Sequence, residues 1–93
     1  MRRRRSPVRR GRAKKAPSRK TRVREFDRAN NRAVAMSTEA WQRDYDSDKN
    51  ANLAHEYAAR ASDEAASIAD ELGFSLIAET RRESAAEHRK RIA

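Results

Sequence analysis

The sequence predicts an all-α protein: an extended, disordered basic N-terminal arm followed by two or three helices, as a helical hairpin or small bundle. Three observations lead there. The first 24 residues contain thirteen basic side chains and no acid. After them, apolar residues recur at alternating spacings of three and four, the period of a helix rather than of a strand. Between these stretches stand short turn signals, Asp44 to Asn50 and Gly73. The division falls near residue 20, with an arm over 1–20 and an alanine-rich helical region over 21–93.

The arm comes first. Its cations are Arg2, Arg3, Arg4, Arg5, Arg9, Arg10, Arg12, Lys14, Lys15, Arg19, Lys20, Arg22 and, at the boundary, Arg24. From Glu25 onward ten basic and fourteen acidic residues leave a net charge of −4, so the overall +9 conceals two oppositely charged parts. A continuous positive block repels itself, and Pro7, Gly11 and Pro17 oppose helix formation within it. Guanidinium stays charged at every physiological pH and can fork two donors onto one phosphate. No aromatic residue is interleaved, so base stacking is not encoded there. These features point to a polyanion bound by charge neutralisation and counterion release, with little sequence preference.

Other uses of such an arm fit less well. An anionic membrane surface would call for a hydrophobic anchor beside the charge, and none accompanies it. No apolar run approaches the roughly 18 residues of a membrane span. A transit peptide would need an amphipathic face, but the arm lacks Leu, Ile and aromatics. A nuclear-import signal would look similar and is compatible with nucleic-acid binding. Ser6-Pro7 between basic residues is a plausible phosphorylation site.

The first helix is expected over about 21–43. Phe26, Ala29, Ala33, Met36 and Ala40 form one stripe, extended by Val23, with Val34 and Trp41 in an adjacent row. Arg28, Arg32 and Arg43 on its polar face could continue the phosphate contacts, and Asn30-Asn31 is a weak point. The turn that follows alternates acids at Asp44, Asp46 and Asp48 with Asn50, which resembles the opening of a calcium-binding EF-hand loop. It departs from that pattern at Lys49, where the sharp bend needs Gly, and at His55, where a bidentate Glu belongs. Helix capping by Asp46, Ser47 or Asp48 is the expected role, with no metal.

A second helix is expected over about 49–72, with a sustained seam of Ala54, Ala58, Ala61, Ala65, Ile68 and Leu72 that Leu53, Tyr57 and Ala69 widen. Gly73 supplies a left-handed stop. A third helix is expected over about 75–92, capped by Ser75, with Ala78, Ala85 and Ile92 seven apart. Phe74, Leu76 and Ile77 would form the helix–helix corner, and Arg89, Lys90 and Arg91 would serve partly as a C-terminal cap and partly as a binding patch.

The segment from Ala65 to Ser75, with small Ala69, Gly73 at the turn and Ser75 opening the next helix, resembles the first helix and turn of bacterial helix-turn-helix regulators. That resemblance covers about eleven residues and implies DNA reading by Arg81 and Arg82. It departs from the pattern at Glu79 and Arg82, which fall where apolar residues should face inward, and in the acids Asp63, Glu64, Asp70 and Glu71 around it.

Size and composition limit what else the chain can be. Leu, Ile, Val and Phe number eleven in 93 residues, too few to offset the ordering of the whole chain. The fold is therefore expected to become fully ordered only in an assembly, completed by protein, a second copy or nucleic acid. Phe26, Met36, Trp41, Ala58, Ala61, Ala65, Ile68, Leu72, Phe74 and Ile77 are the candidate protein contacts. There is no cysteine, hence no disulfide, thiol chemistry or Cys-type zinc site, which fits a setting inside a cell or a virion. His55 and His88 lie on different helices and read as solvated polar positions, without metal-ligand spacing. Two glycines make no phosphate loop. No catalytic residue and no cofactor are expected.

The expected function is that of a non-enzymatic structural protein that condenses DNA or RNA in a virion or nucleoid, its helices touching other protein. At the level of composition it resembles the arginine-rich proteins that organise packaged viral genomes or bacterial chromosomes. A ribosome-associated or other ribonucleoprotein component, a helix-turn-helix-like regulator and a pure protein adaptor are the alternatives.

Overall fold

The computed structural model describes residues 17–92, and the candidate phosphate contacts from Arg2 to Lys15 lie outside the described residues. Three helices follow one another: α1 (Arg19–Tyr45), α2 (Ala51–Leu72) and α3 (Ser75–Ile92). α2 packs against both of the others and forms the centre of an up-down-up arrangement. Side chains at the C-terminal ends of α1 and α3 meet directly, as the Arg91–Asp44 pair at 2.7 Å shows, so these two helices run in the same direction.

α1 starts two residues earlier than its apolar stripe requires. The reason is local: Ser18 is extended, and its hydroxyl accepts the Thr21 N–H at 3.2 Å, satisfying one of the free donors of the first turn. Arg19 and Lys20, placed in the arm by the sequence, are therefore helical. The helix continues unbroken through Asn30-Asn31 and spans 27 residues, about 40 Å at 1.5 Å per residue. Phe26, Ala29, Ala33 and Ala40 are buried and Met36 half-buried, as the spacing anticipates, whereas Val34 stays exposed.

The end of α1 corrects the reading of the acidic turn. Asp44 is not in the turn but in the last turn of the helix. Ser47 adopts the left-handed conformation (φ 57°), with its N–H donating to the Asp44 carbonyl and that of Asp48 to the Arg43 carbonyl. These bonds close the helix C-terminus in the same way that Gly73 (φ 83°) and Phe74 close α2 by donating to Asp70 and Ala69. Ser47 is thus used to stop α1 and does not cap α2. The Asp48 carboxylate does catch a free N–H, but that of Asn50, one residue before α2 begins. Among the described residues no cluster of three or more acids or histidines could hold a metal ion.

α2 buries two stripes, because it has a helix on either side. One is the expected seam of Ala58, Ala61, Ala65, Ile68 and Leu72. The other, offset by one position, consists of His55, Ala59, Ser62, Ala66 and Ala69. Leu53 and Tyr57, expected to widen the first seam, are half exposed instead. Glu64 and Glu71 reach arginines of α1, while Asp63 and Asp70 reach arginines of α3, so α2 carries its charges along the margins of its buried faces. Small side chains set how closely the helices approach, and the seams have no room for more. Enlarging the fully buried Ala65 to leucine is expected to cost about 1–3 kcal/mol through displaced neighbours. A lowered urea midpoint with an unchanged slope would register it.

Larger apolar side chains gather at one end. Phe26, Ile68 and Leu72 are buried there, with Val23, Met36 and Phe74 packed on them, and Phe26 meets Phe74 edge-on at 5.4 Å. The corner expected from Phe74, Leu76 and Ile77 is made by Phe74 alone. Leu76 is 79% exposed and Ile77 39%, because α3 turns Ala78 and Ala85 inward. Ser75 is already the first helical residue, so Phe74 occupies the capping position and its carbonyl accepts from Ala78.

α2 and α3 lie antiparallel along their length, joined by Arg82–Asp70, by Arg89–Asp63 at 2.5 Å and by His55–His88 at 2.7 Å. The helix-turn-helix resemblance therefore does not extend to geometry, since that unit crosses its helices steeply after the turn. Its two reading residues are also placed otherwise: Arg82 is paired with Asp70, and the Nε of Arg81 is buried. No helix among the described residues is long and apolar enough to cross a membrane.

Candidate functional site: a cationic end and a buried histidine relay

The N-terminal turns of α1 separate the arm's last cations into two groups. Arg19 folds back over the end of α2, its guanidinium donating to the Leu72 carbonyl at 3.0 Å and lying 5.8 Å from the centre of the Phe74 ring. It satisfies an otherwise free carbonyl at the negative end of the α2 dipole. Arg22 bridges Glu25 on its own helix and Glu71 on α2. Both arginines therefore serve the fold. Lys20 and Arg24 are exposed and make no ion pair among the described residues, nor does Arg28 one turn further on. Spaced four apart, these three continue the arm as a short cationic stripe along α1.

The remaining basic positions read as phosphate contacts are engaged elsewhere. Arg32 pairs with Glu64 at 3.4 Å, and Arg43 with Glu39 and Asp48 at 2.8 and 3.0 Å. At the C-terminus Arg89 holds Asp63, Arg91 holds Asp44, and Lys90 lies 3.8 Å from Glu87. The expected secondary binding patch is thus a set of ion pairs. Among the described residues most acids of the bundle are matched in this way, the exceptions being Asp27, Asp46, Glu79 and Glu83. Individually such surface pairs contribute little to stability. Their consequence is electrostatic: the bundle presents few free carboxylates to draw the arm onto itself.

At the opposite end the structure assembles what periodicity did not reveal. His55 and His88, read as solvated, are both fully buried and face each other with their Nδ1 atoms 2.7 Å apart. His55 Nε2 lies 2.9 Å from an Asp44 oxygen, and His88 Nε2 lies 2.8 Å from the Ser37 hydroxyl. A carboxylate can only accept, which assigns the protons in sequence. With both rings neutral, His55 donates from Nε2 to Asp44, His88 donates from Nδ1 to His55, and Ser37 donates to His88. Trp41 covers the pair, its ring stacked at 5.1 Å on His88 and set edge-on at 4.5 Å to His55, with 41% of its own surface exposed.

The electrostatics follow from burial and partners. Arg91, then His55, hydrogen-bond the Asp44 carboxylate and hold its pKa below the ordinary value. Burial, then the neighbouring His55, lowers the pKa of His88 and so favours its neutral form. For a histidine lowered in the folded state, the unfolded chain takes the proton more readily. Stability is therefore full above about pH 6.5 and declines as pH falls through the lower folded value. For Asp44 the same sign applies, with its loss beginning only below about pH 4.

Serine, two histidines and a carboxylate in line can hold or pass a proton. A nucleophile with its base would look alike. Ser37 lies inside α1, where backbone N–H groups bond within the helix. Of the candidate protein contacts, Phe26, Ala58, Ala61, Ala65, Ile68 and Leu72 are buried by the chain's own helices. Met36 and Phe74 pack on that core, while Trp41 and Ile77 remain partly exposed, as are Leu53, Tyr57 and Leu76. Comparisons with family models, curated proteins and solved structures found no match to the chain.

Proposed function

We propose that this protein binds nucleic acid through its N-terminal arm without sequence preference and condenses it, as a structural component of a nucleoid or a virion. The observation that carries the reading is the segregation of charge. The first 24 residues hold thirteen cations and no acid, and residues 25–93 carry a net −4. The ion pairing within the bundle supports it, because arginines of α1 and α3 already occupy most of the domain's carboxylates. The exposed Lys20, Arg24 and Arg28 extend the positive surface from the arm onto α1. The bundle then acts as the handle. Its exposed apolar side chains, Leu53, Tyr57, Leu76 and Ile77 among them, are positions through which another protein or a second copy would attach.

Binding titrations of the full chain against random duplex, single strand and structured RNA at several salt concentrations test this reading. Affinity for random duplex should fall on the order of 10³-fold or more between about 50 and about 200 mM salt, with different duplex sequences binding alike. Preference for one duplex site, or affinity indifferent to salt, would sink it. Tightest binding to structured RNA would favour a ribonucleoprotein component instead.

A further inference from the structure

We propose that the His55–His88 pair is an acid-sensitive latch, which holds the C-terminal half of α3 against α1 and α2 and releases it when both rings carry a proton. The geometry sets the limit. With both rings neutral, every ring nitrogen has a partner: Asp44, the facing histidine or Ser37. One added proton is accommodated. His55 becomes an imidazolium between Asp44 and His88, whose own proton moves to Nε2 and points at Ser37. A second proton puts hydrogens on both Nδ1 atoms across a 2.7 Å gap, with two positive charges in a site closed to water. That arrangement cannot persist, so the rings must separate.

The surrounding groups decide which part moves. Asp44 on α1 faces His55 and also holds Arg91 of α3; α2 contributes His55 itself. The next α2–α3 ion pair, Asp63 with Arg89, lies on the exposed flank. Beyond these, the C-terminal half of α3 is held by Ala85 and the half-buried Ile92. The other end of the bundle rests on Phe26, Ile68, Leu72 and Phe74, none of which titrates. Acid therefore loosens one end and leaves the other closed.

Amide hydrogen exchange of the full chain, corrected for intrinsic rates, reads this directly. Between about pH 7.5 and about pH 5, a window that leaves Asp44 ionised, protection over residues 84–92 should fall about tenfold or more while that of residues 65–72 holds. Over the same range ring-nitrogen NMR shifts should show the two histidines titrating as a coupled pair. His88→Phe keeps an aromatic ring but cannot take a proton, so its α3 should be less protected at neutral pH and insensitive to acid. His88→Asn serves the same purpose should the phenylalanine disturb packing. Unchanged protection in the natural chain overturns the latch whatever the variants do. So do two rings titrating independently, or a variant that keeps the natural pH dependence.

Discussion

Removing residues 1–16 is expected to lower affinity for random duplex on the order of 10³-fold at about 100 mM salt, with the helical domain left intact. The cut deletes nine of the chain's cations, Arg2 to Lys15, and spares Ser18, Arg19 and Arg22. Those three residues cap α1, close the end of α2 and bridge the two helices, so a deletion reaching Lys20 would confuse loss of binding with loss of fold. Each phosphate neutralised contributes about 0.9 to the slope of log affinity against log salt. The full chain should therefore show a slope steeper by about eight than the truncated one if all nine cations engage. Lys20, Arg24 and Arg28 would leave a residual slope of about two or three. Circular dichroism should give the same helix signal per helical residue and the same midpoint for both chains. A truncated chain that binds as tightly as the intact one would end the arm hypothesis.

Phe26→Ala is expected to cost about 3–5 kcal/mol. Phe26 is the largest side chain in the apolar end of the core, 5% exposed and in contact with the Phe74 ring. Its cluster combines Ile68, Leu72 and Phe74 with short alanines, so the space it vacates would be filled only in part. A domain of this size has a total stability of about 5–10 kcal/mol, so most of it would go. Thermal melts should shift down on the order of 15 °C or more. Leu76→Ala is the matched comparison. Leu76 is 79% exposed, and its loss should change stability by less than about 0.5 kcal/mol. Equal shifts in the two variants would mean that the core lies elsewhere.

These two results would test opposite ends of what the sequence made legible. The spacing of Phe26, Ala29, Ala33 and Ala40, and that of Ala58 through Leu72, named the buried stripes correctly, because an apolar side chain at helical period has only one favourable place to go. Gly73 marked the end of α2 for an equally local reason. Leu76 and Ile77 misled, because their size suggested burial while Ala78 one position further on was the residue facing α2. Ser47 misled as well. A serine among aspartates reads as a helix start, and nothing local says that it will adopt a left-handed conformation to finish the helix before it.

The sequence by itself determined the segregation of charge, the helical type of the elements and the main apolar seam, since each depends on neighbours within a few residues. Only the tertiary structure decided that α2 has a second buried face and that two histidines meet in it. The residues of that relay come from three helices, with separations of 11, 33 and 51 positions along the chain. A polar side chain can leave water only where others supply every hydrogen bond it gives up. His55 therefore looks like a surface position until α1 and α3 are in place, and then it has partners and is dry.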